Sequence, residues 1–408
     1  MRLLYTIGIR FYTLGVRVAS LWNPKARQMC QGWQRLFEKI PDQRIGEGKT
    51  AWFHASSLGE FEQARPVLEQ FKREHPDYRI CLTFFSPSGY EVRKNYAEAD
   101  IICYLPMDTP RNAREFVRII NPTIAFFVKY DFWFNYLSEL KKRQVPTYIF
   151  SAIFRPGQYF FRWYGGWFRR QLNCYTHLFV QNDESLNLLR KYGINHCSLA
   201  GDTRFDRVAD IAKTAKRFPE IEAFIDGKPV LMAGSSWVPD ENYLKYCVER
   251  YKGDIKVVLA PHVISEDHLE IIEALFGKDN CVRYTRMQSE SHKDKKVLIV
   301  DTIGMLSSLY QYARVAYIGG AFGHGLHNTL EALTFGKPVC FGPKYTKFQE
   351  AKDILEQGGG YTYTDPELLL QQLRLWFDNE EAYNKASQVC LDYVKANLGS
   401  TQKILGRL

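Results

Sequence analysis

The sequence contains no C-x-x-C pair and no regularly spaced set of cysteines. Its nine cysteines are scattered along 408 residues, which argues against a disulfide framework and a zinc site and indicates reduced thiols. No D-x-D pair of the kind that holds a metal–nucleotide complex is present, so no metal and no other cofactor is expected. A zinc-finger spacing, a basic recognition helix and an RNA-binding signature are also missing, and a nucleic-acid partner is therefore not expected.

Long apolar runs are absent as well. No run reaches the roughly 18–20 residues that a clean transmembrane helix needs, and no signal-peptide cleavage site is evident. The N-terminus, MRLLYTIGIRFYTLGVRVASLWNPK, is apolar but interrupted by arginines. On a helical projection Arg10 and Arg17 share one face, and apolar side chains cover much of the rest. Residues 1–45 are therefore predicted to form a membrane-associating helical segment; the alternative is a helix packed on the protein's own core.

Acidic residues are scarce in the first half of the chain. Residues 1–205 contain 29 Lys and Arg against 18 Asp and Glu, a net charge of +11, whereas residues 206–408 contain 25 against 27. The overall charge of +9 therefore comes entirely from the first half. Charge alone favours an anionic partner there, either a nucleic acid, a membrane or a phosphorylated ligand, and the missing nucleic-acid motifs leave the last two. The alternative is a solvated basic surface without a specific partner.

Alternating strand and helix patterns fill the rest of the chain, which is too long for one ordinary core. One series of buried strands runs to GDTRFDRV, and a second begins at KPVLMAGSS. The rhythm predicts an α/β protein with two doubly wound Rossmann-like domains facing a central cleft. The predicted divisions are 46–206 for the first domain, 207–227 for a connection, 228–385 for the second domain, and 386–408 for a C-terminal helix that packs back on the first domain.

The segment GGAFGHGLHNTLEALTFGKPV, residues 319–339, is the strongest candidate for nucleotide binding. A buried strand leads into a loop with four glycines, and a helix is predicted over about 329–335, with Asn328 as N-cap and Gly336 as the C′ residue. Glycines allow backbone N–H groups to approach a phosphate. Glu331 is placed to accept hydrogen bonds from ribose hydroxyls or, alternatively, to form a capping box with Asn328. The loop is not a Walker A motif, so another class of nucleotide is expected.

A second candidate site lies in WFHASSLGEFEQARP, residues 52–66. Glu60 follows a predicted buried strand and stands in the first turn of a helix. A carboxylate there is either a favourable charge at the positive end of the helix dipole or a general base at the edge of a sheet. His54, at the end of the strand, is interpreted as a structural residue or as one that positions Glu60.

Nine short segments, taken together, resemble the 3-deoxy-D-manno-octulosonic acid (Kdo) transferases of lipopolysaccharide biosynthesis. These are inverting glycosyltransferases of the GT-B fold. The resemblance covers about Trp52 to Glu350, in the family's order: FHASSLGE, TFFSPSG, YLPMDTP, DFWFN, GDTRFD, AGSS, DTIG, GGAFGHGLHNTLEA and FGPKYTKFQE.

The resemblance implies a reaction and a set of roles. Glu60 matches the base that deprotonates a hydroxyl of a lipid A precursor, which then attacks the anomeric carbon of CMP-Kdo and releases CMP. The implied donor-binding residues are Ser235, Ser236, His262, Ile303, Gly304, Met305, Gly325, Asn328, Leu330 and Glu331. The two serines could instead belong to a turn or an N-cap. The implied acceptor-binding residues are Lys129, Asp131, Arg155 and Arg162. The implied location is the cytoplasmic face of a bacterial inner membrane.

The chain departs from the family's pattern at three places. Lys129 stands where the family has the first acid of E-x-E-x-W-P-N, Pro261 stands where it has the Arg of P-R-H-P, and Ile153 lies where it has the Arg of N-A-R-L-S. These changes affect segments that handle the anions of donor and acceptor. Two alternatives therefore stay open: a GT-B transferase that uses another nucleotide sugar, such as a UDP-sugar, and a non-catalytic membrane protein that binds a sugar nucleotide.

Overall fold

The computed structural model describes residues 1–43, 48–288 and 292–408, without the side chains of residues 41–43. The described chain divides into two compact units. The first comprises Met1–Arg207 together with Leu398–Leu408, and the second comprises Val208–Asn397. The chain thus builds the second unit as an insertion and then returns to the first.

The first unit is built on a parallel sheet of seven strands in the order β3-β2-β1-β4-β5-β6-β7. The strands are β1 (Thr50–Ala55), β2 (Arg79–Phe84), β3 (Ile101–Tyr104), β4 (Ile124–Val128), β5 (Thr147–Ala152), β6 (His177–Val180) and β7 (Cys197–Leu199). The helices are α1 (Arg2–Ala19), α2 (Pro24–Trp33), α3 (Leu36–Gln43), α4 (Leu58–Glu74), α5 (Pro87–Arg93), α6 (Pro110–Ile120), α7 (Phe134–Lys142), α8 (Gly166–Leu172), α9 (Asp183–Lys191) and α10 (Arg204–Lys213).

Helices cover both faces of this sheet, which explains why its strands read as apolar runs rather than as alternating patterns. Every residue of β1 is buried, and successive side chains point to opposite faces. Trp52 packs against Phe116 and Phe127 on one face, and Phe53 stacks on Phe126 on the other. The strand therefore belongs to two separate cores and is fixed in the centre of the unit.

The N-terminal segment is only partly buried against the first unit. Val16 of α1 packs with Ala26, Met29 and Tyr104. The Tyr5 hydroxyl donates a hydrogen bond of 2.7 Å to Asp108 in the loop after β3. The outward side of α1 is nevertheless strongly apolar and exposed. No helix in the described parts of the chain has the length and apolar character required to cross a membrane.

The second unit contains another parallel sheet of seven strands, in the order β10-β11-β9-β8-β12-β13-β14. The strands are β8 (Val230–Ser236), β9 (Lys256–Pro261), β10 (Cys281–Arg283), β11 (Val297–Ile299), β12 (Val315–Ile318), β13 (Val339–Phe341) and β14 (Gly360–Thr362). The remaining helices are α11 (Pro219–Ile225), α12 (Val238–Arg250), α13 (Glu266–Phe276), α14 (Leu306–Leu309), α15 (Leu330–Leu333), α16 (Gln349–Gln357), α17 (Pro366–Asp378), α18 (Glu380–Ala396) and, in the first unit, α19 (Ser400–Leu405).

Two stretches differ in detail from the predicted divisions. The predicted connection, 207–227, contains the end of α10 and all of α11, because apolar residues such as Ile221 and Phe224 are fully buried. The predicted C-terminal helix, 386–408, is two helices. The first, α18, lies in the second unit, and α19 packs on α4, with Ile404 in the core of the first unit.

Each sheet has a switch point at which the order of strands reverses. In the first unit it lies between β1 and β4, and in the second between β8 and β12. Ligands of open α/β sheets bind in the crevice outside the carboxyl ends of the strands at such a point. At the carboxyl ends of these four strands lie Glu60, in the first turn of α4, Lys129, Ser235, near the end of β8, and the glycine-rich segment 319–327.

Candidate active site

Glu60 lies at the switch point of the first sheet, in the first turn of α4. Ser57 occupies the N-cap position of this helix, and its hydroxyl donates a hydrogen bond to the Glu60 carboxylate. Glu60 is half-buried and forms no salt bridge with any residue that the structure describes. The positive end of the helix dipole favours the anionic form of the carboxylate. Glu60 is therefore available as a proton acceptor.

Asp131 lies on the other side of the same crevice, after β4. It is buried, and it accepts hydrogen bonds from the Ser56 hydroxyl and from the Ser56 backbone N–H at 3.3 Å. Burial raises the pKa of Asp131 to about 8, the charge of Glu60 raises it further, and the Ser56 hydrogen bonds oppose both. Asp131 thus holds a proton at neutral pH. The environments of the two carboxyl groups separate their roles, as in sites where one acid stays neutral beside an ionised partner.

His54 is a fixed, neutral residue of this crevice. Its Nε2 accepts a hydrogen bond of 2.9 Å from the Trp133 indole, and its Nδ1 lies 2.8 Å from the Thr83 hydroxyl. These partners assign the proton to Nδ1. Complete burial lowers the pKa of His54 to about 3, so the 3.8 Å approach of Nε2 to Asp131 is not an ion pair. The network places the indole of Trp133 beside the Asp131 carboxyl group.

Replacing Asp131 with Asn is expected to change how stability depends on pH. Between about pH 4 and about pH 8 the unfolded carboxyl is ionised while the native one is protonated, so native stability falls as pH rises through this window. One such group contributes a slope of up to about 1.4 kcal/mol per pH unit. Asp131→Asn removes that slope, so its stability relative to the wild type should increase with pH.

The measurement is chemical denaturation of both proteins at a series of pH values across that window. Asp77→Asn is the matched control, because Asp77 is exposed beside Lys49 and should leave the slope unchanged. A difference between Asp131→Asn and the wild type that stays constant with pH would show that Asp131 is ionised in the native state.

The predicted acceptor residues do not all lie together. Lys129 follows β4 directly, with a left-handed backbone (φ 61°) and its ammonium 5.6 Å from the centre of the Tyr130 ring. It shares the switch-point crevice with Asp131. Arg155 and Arg162 lie instead on the exposed loop after β5, where Arg162 donates to the Gly157 carbonyl at 3.2 Å. No contact of either arginine with Glu60 is formed in the described chain.

The predicted donor residues lie at the carboxyl ends of four adjacent strands of the second unit, β11, β9, β8 and β12. Ser235 forms a bulge in β8, with φ 53°, and is half-buried. Ser236 is buried and donates to Glu241 at 2.9 Å, and Glu241 in turn lies 3.0 Å from His268. Ser236 therefore stabilises the base of the crevice, while the half-buried Ser235 is the more accessible of the two serines.

Asp240, in the first turn of α12, holds the glycine-rich loop in place. Its carboxylate accepts hydrogen bonds from the backbone N–H groups of Gly320, at 2.9 Å, and Trp237, at 3.0 Å. The Tyr317 hydroxyl donates to its other oxygen at 2.8 Å. Gly319 passes so close to β8 that an added Cβ would lie 2.2 Å from the Ser235 carbonyl oxygen. The loop is thus joined to the β8 bulge by direct packing.

Three histidines surround Trp237 at this edge. The His324 ring stacks on the indole with centroids 3.7 Å apart, and the His262 ring lies at 4.7 Å. The Trp237 indole donates to His327 Nε2 at 3.2 Å. Burial, together with the two neighbouring imidazoles, lowers the pKa of His327 to about 4, and burial also lowers the pKa of His262. These two rings are neutral, and the cluster offers a flat aromatic surface beside the glycine loop.

The helix after the glycine loop is shorter than predicted. It spans Leu330–Leu333, and Thr329, not Asn328, occupies its N-cap position. Asn328 accepts from the Leu330 N–H at 3.2 Å and donates to Glu331 at 3.0 Å. The side chain of Leu330 is fully buried, so Leu330 can offer a ligand only its backbone atoms. Gly336 does adopt the predicted left-handed conformation, with φ 66°.

The predicted donor-binding residues after β11, which the resemblance places near the cytosine, differ in exposure. Ile303 is 92% exposed, an unusual position for a large apolar side chain. Gly304 follows with φ 91°. Met305 is buried, and its sulfur accepts from the Thr302 hydroxyl at 2.8 Å. Ile303 is free to contact a flat apolar ring, whereas Met305 supports the turn. Gly325 (φ 99°) closes the glycine loop through an N–H bond of 3.0 Å to the Gly320 carbonyl.

Sequence reasoning missed several residues of both crevices. Trp237, His324 and His327 come together only because the loops after β8 and β12 meet at the switch point. The signal in the sequence was the presence of two histidines in GHGLHN, beside the glycines, and of a tryptophan directly after AGSS. Asp240 and Ser56 gave no signal beyond that of ordinary helix caps.

Residues 31–207 match the sequence model of the family described as 3-deoxy-D-manno-octulosonic-acid transferase. Over this segment, which is less than half of the chain, the protein is similar to the Kdo transferases. Curated 3-deoxy-D-manno-octulosonic acid transferases are similar over most of the chain. That of Aquifex aeolicus is 26% identical over 329 residues, covering 79% of this chain and 84% of the relative. That of Rickettsia conorii is 23% identical over 387 residues, covering 90% of this chain and 79% of the relative. The protein is accordingly a glycosyltransferase.

Solved structures agree on the fold. UDP-GlcNAc 2-epimerase from Neisseria meningitidis superposes with a TM-score of 0.62 at 13% identity, covering 88% of this chain and 98% of that one. A glycosyltransferase from Rickettsia africae superposes with a TM-score of 0.57 at 13% identity, again over 88% and 98%. At these identities the likeness concerns the fold alone. It supports the prediction of two Rossmann-like domains of the GT-B type with parallel sheets.

Proposed function

We propose that this protein transfers Kdo from CMP-Kdo to a hydroxyl of a phosphorylated glycolipid, a lipid A precursor, with Glu60 as the general base. The observation that carries the proposal is the position of Glu60. It lies at a helix N-terminus, at the switch point of the first sheet, and has no cationic partner among the described residues. The curated relatives are Kdo transferases, which favours Kdo as the sugar.

The proposed chemistry assigns different tasks to the two carboxyl groups. Glu60 accepts the proton of the acceptor hydroxyl as that oxygen attacks the anomeric carbon, and CMP leaves with the electrons of the broken bond. Asp131, with its proton retained, donates a hydrogen bond to a donor or acceptor oxygen rather than competing for the proton. A second ionised carboxylate beside Glu60 would repel an anionic substrate, so the neutral state of Asp131 favours binding at this edge.

The edge of the second sheet has the groups that a pyrimidine nucleotide requires. The exposed Ile303 offers an apolar contact for a base, and the half-buried Ser235 lies beside the glycine-rich loop, which packs against it at Gly319. Asn328 and Glu331 supply polar atoms next to them. Helix α15 has only four residues, and the N–H groups of Gly319, Gly320 and Gly325 already donate within the chain. Phosphate binding would therefore depend on side chains such as Ser235 and the exposed His324 more than on a helix dipole.

We further propose that the protein works on the cytoplasmic face of a bacterial inner membrane, with α1 in contact with lipid. The outward residues of α1 and the turn after it are large, apolar and exposed, among them Leu3 at 72%, Phe11 at 70% and Trp22 at 68%. Trp163, on the loop after β5, is 94% exposed beside Arg162. Aromatic and basic residues of this kind are typical of membrane interfaces.

The test is transfer from CMP-Kdo to a lipid A precursor by the full chain in detergent, with the product identified by mass. We expect one or more Kdo residues on the glycolipid and competitive inhibition by CMP but not by UDP. A protein that binds CMP without forming product would have another acceptor or no transferase activity with this lipid. Inhibition by UDP in place of CMP would replace the proposed donor with a UDP-sugar.

The residue at position 261 is the reason why a UDP-sugar is tested as the alternative donor. Pro261, which stands where the family has an Arg, is buried at the end of β9 and contributes no charge to the donor crevice. The competition experiment decides between the two donors directly, because the bases differ while the phosphates are bound by the same loop.

A further inference from the structure

A large cavity lies between α1 and the N-terminal half of α6. Its volume is about 750 Å³. Four guanidinium groups line it, two from each helix, together with the apolar side chain of Leu14. The four are Arg10, Arg17, Arg111 and Arg114. None of the predicted donor or acceptor residues contributes to this cavity.

The positive charge of the cavity is not compensated within the described chain. None of the four guanidinium groups forms a salt bridge there. The one acid in the described lining, Glu115, pairs with Arg118 at 2.6 Å. Arg118 lowers the pKa of Glu115, and the charge of Arg111 contributes, so the acid stays ionised but is already bound. All four residues are exposed, so water and salt screen much of their mutual repulsion, and an anion among them would lower it further.

The backbone around the cavity is well anchored. Near its start, α1 is held by the Tyr5–Asp108 hydrogen bond, and at Val16 by packing on α2. The entry to α6 is fixed by two bonds of Asn112: its amide donates to the Met107 carbonyl at 2.9 Å, and its N–H donates to the Thr109 hydroxyl at 3.2 Å. Arg10 and Arg17 are seven residues apart and therefore lie on the same side of α1.

The surroundings of the cavity indicate what kind of anion it accepts. Leu14 lines the cavity and is exposed, and the apolar residues of α1 continue from it to the outer surface. An anion with an attached hydrocarbon chain can contact both the arginines of the cavity and the apolar residues of α1. Planar guanidinium groups match the paired oxygens of a phosphate.

We propose that this cavity binds the phosphate headgroup of an anionic membrane phospholipid and so fixes the orientation of α1 at the membrane. The proposal rests on the membrane association proposed above. A phospholipid is favoured over the glycolipid acceptor because the cavity lies beside the loop that follows β3, the edge strand, whereas Glu60 follows β1, two strands further into the sheet.

The test compares binding of the full chain to phosphatidylcholine vesicles with and without phosphatidylglycerol. The wild type should bind both, and the anionic vesicles more tightly. Arg111→Gln/Arg114→Gln should lose about tenfold or more of that preference, since each cation near an anionic surface contributes about fivefold. Arg73→Gln/Lys191→Gln removes the same charge from exposed positions on other helices and should keep the preference.

A lysine variant separates a built site from diffuse charge. Arg111→Lys/Arg114→Lys retains the charge but loses the guanidinium geometry, and we expect it to lose several-fold of the preference as well. Full preference in the lysine variant would overturn the site. Absence of binding to either vesicle would overturn both the membrane association and the site. A raised KM for the glycolipid in detergent, with vesicle preference unchanged, would reassign the cavity to the acceptor.

Discussion

Replacing Glu60 by Gln is expected to lower kcat by about 10²- to 10⁴-fold, the range that a general base contributes. The amide cannot accept the proton of the acceptor hydroxyl at neutral pH, but it has nearly the same shape. The Ser57 hydroxyl can still donate to the amide oxygen, and the loss of charge at the N-terminus of α4 should cost only about 0.3–1 kcal/mol of stability. The measurement is the initial rate of Kdo transfer at saturating donor and acceptor.

Glu74→Gln is the matched control for this experiment. It makes the same chemical change at the other end of the same helix, where Glu74 is exposed and contacts Gln70. It should leave kcat and both KM values unchanged. If folded Glu60→Gln protein retains the wild-type rate, the base is another group of the crevice, and Asp131 would be the first candidate despite the proton it holds.

Gly319→Ala is expected to have the second large effect, on stability and on donor use together. The added Cβ would lie 2.2 Å from the Ser235 carbonyl oxygen and 2.7 Å from the Ser236 Cα. Both contacts are to backbone, so the loop or the β8 bulge must move. Such overpacking costs about 1–3 kcal/mol. A displacement of about 1 Å at a binding site can lower activity by about 10²-fold.

Gly323→Ala provides the internal reference for that prediction. It lies in the same loop, but no atom comes within 4 Å of its added Cβ. Its effect on stability should stay within about 0.5 kcal/mol. The two variants are compared by thermal unfolding and by kcat/KM for CMP-Kdo. Equal behaviour of the two would mean that the loop is not held against the β8 bulge.

The fold was largely predictable because it depends on local pattern. Buried strands such as TAWFHA in the first unit and KPVLMAGSS in the second are continuous apolar runs that end in small or polar residues. The division into two α/β units follows from two such series. The sequence was less informative about the break between α18 and α19, which depends on where Ile404 finds a core to occupy.

The helix after the glycine loop illustrates a local rule that tertiary structure overrode. Asn328 has a good N-cap side chain, yet the loop from Gly320 to His327 places the first helical turn one residue later. Asn328 then uses its amide to bind Glu331. Propensity ranks candidate caps, but the direction from which the chain enters the helix decides which one is used.

The sequence by itself determined the alternation of strands and helices, the position of Glu60 in a first helical turn, the glycine loop and the apolar face of α1. These are properties of neighbouring residues. Only the tertiary structure decided that Asp131 holds a proton, that three histidines gather around Trp237, and that four arginines of α1 and α6 line one cavity. The reason is physical. The pKa of a group depends on its burial, and the compensation of a charge depends on partners that are far away in the chain. The parallel sheets bring such residues to one edge only in the folded protein.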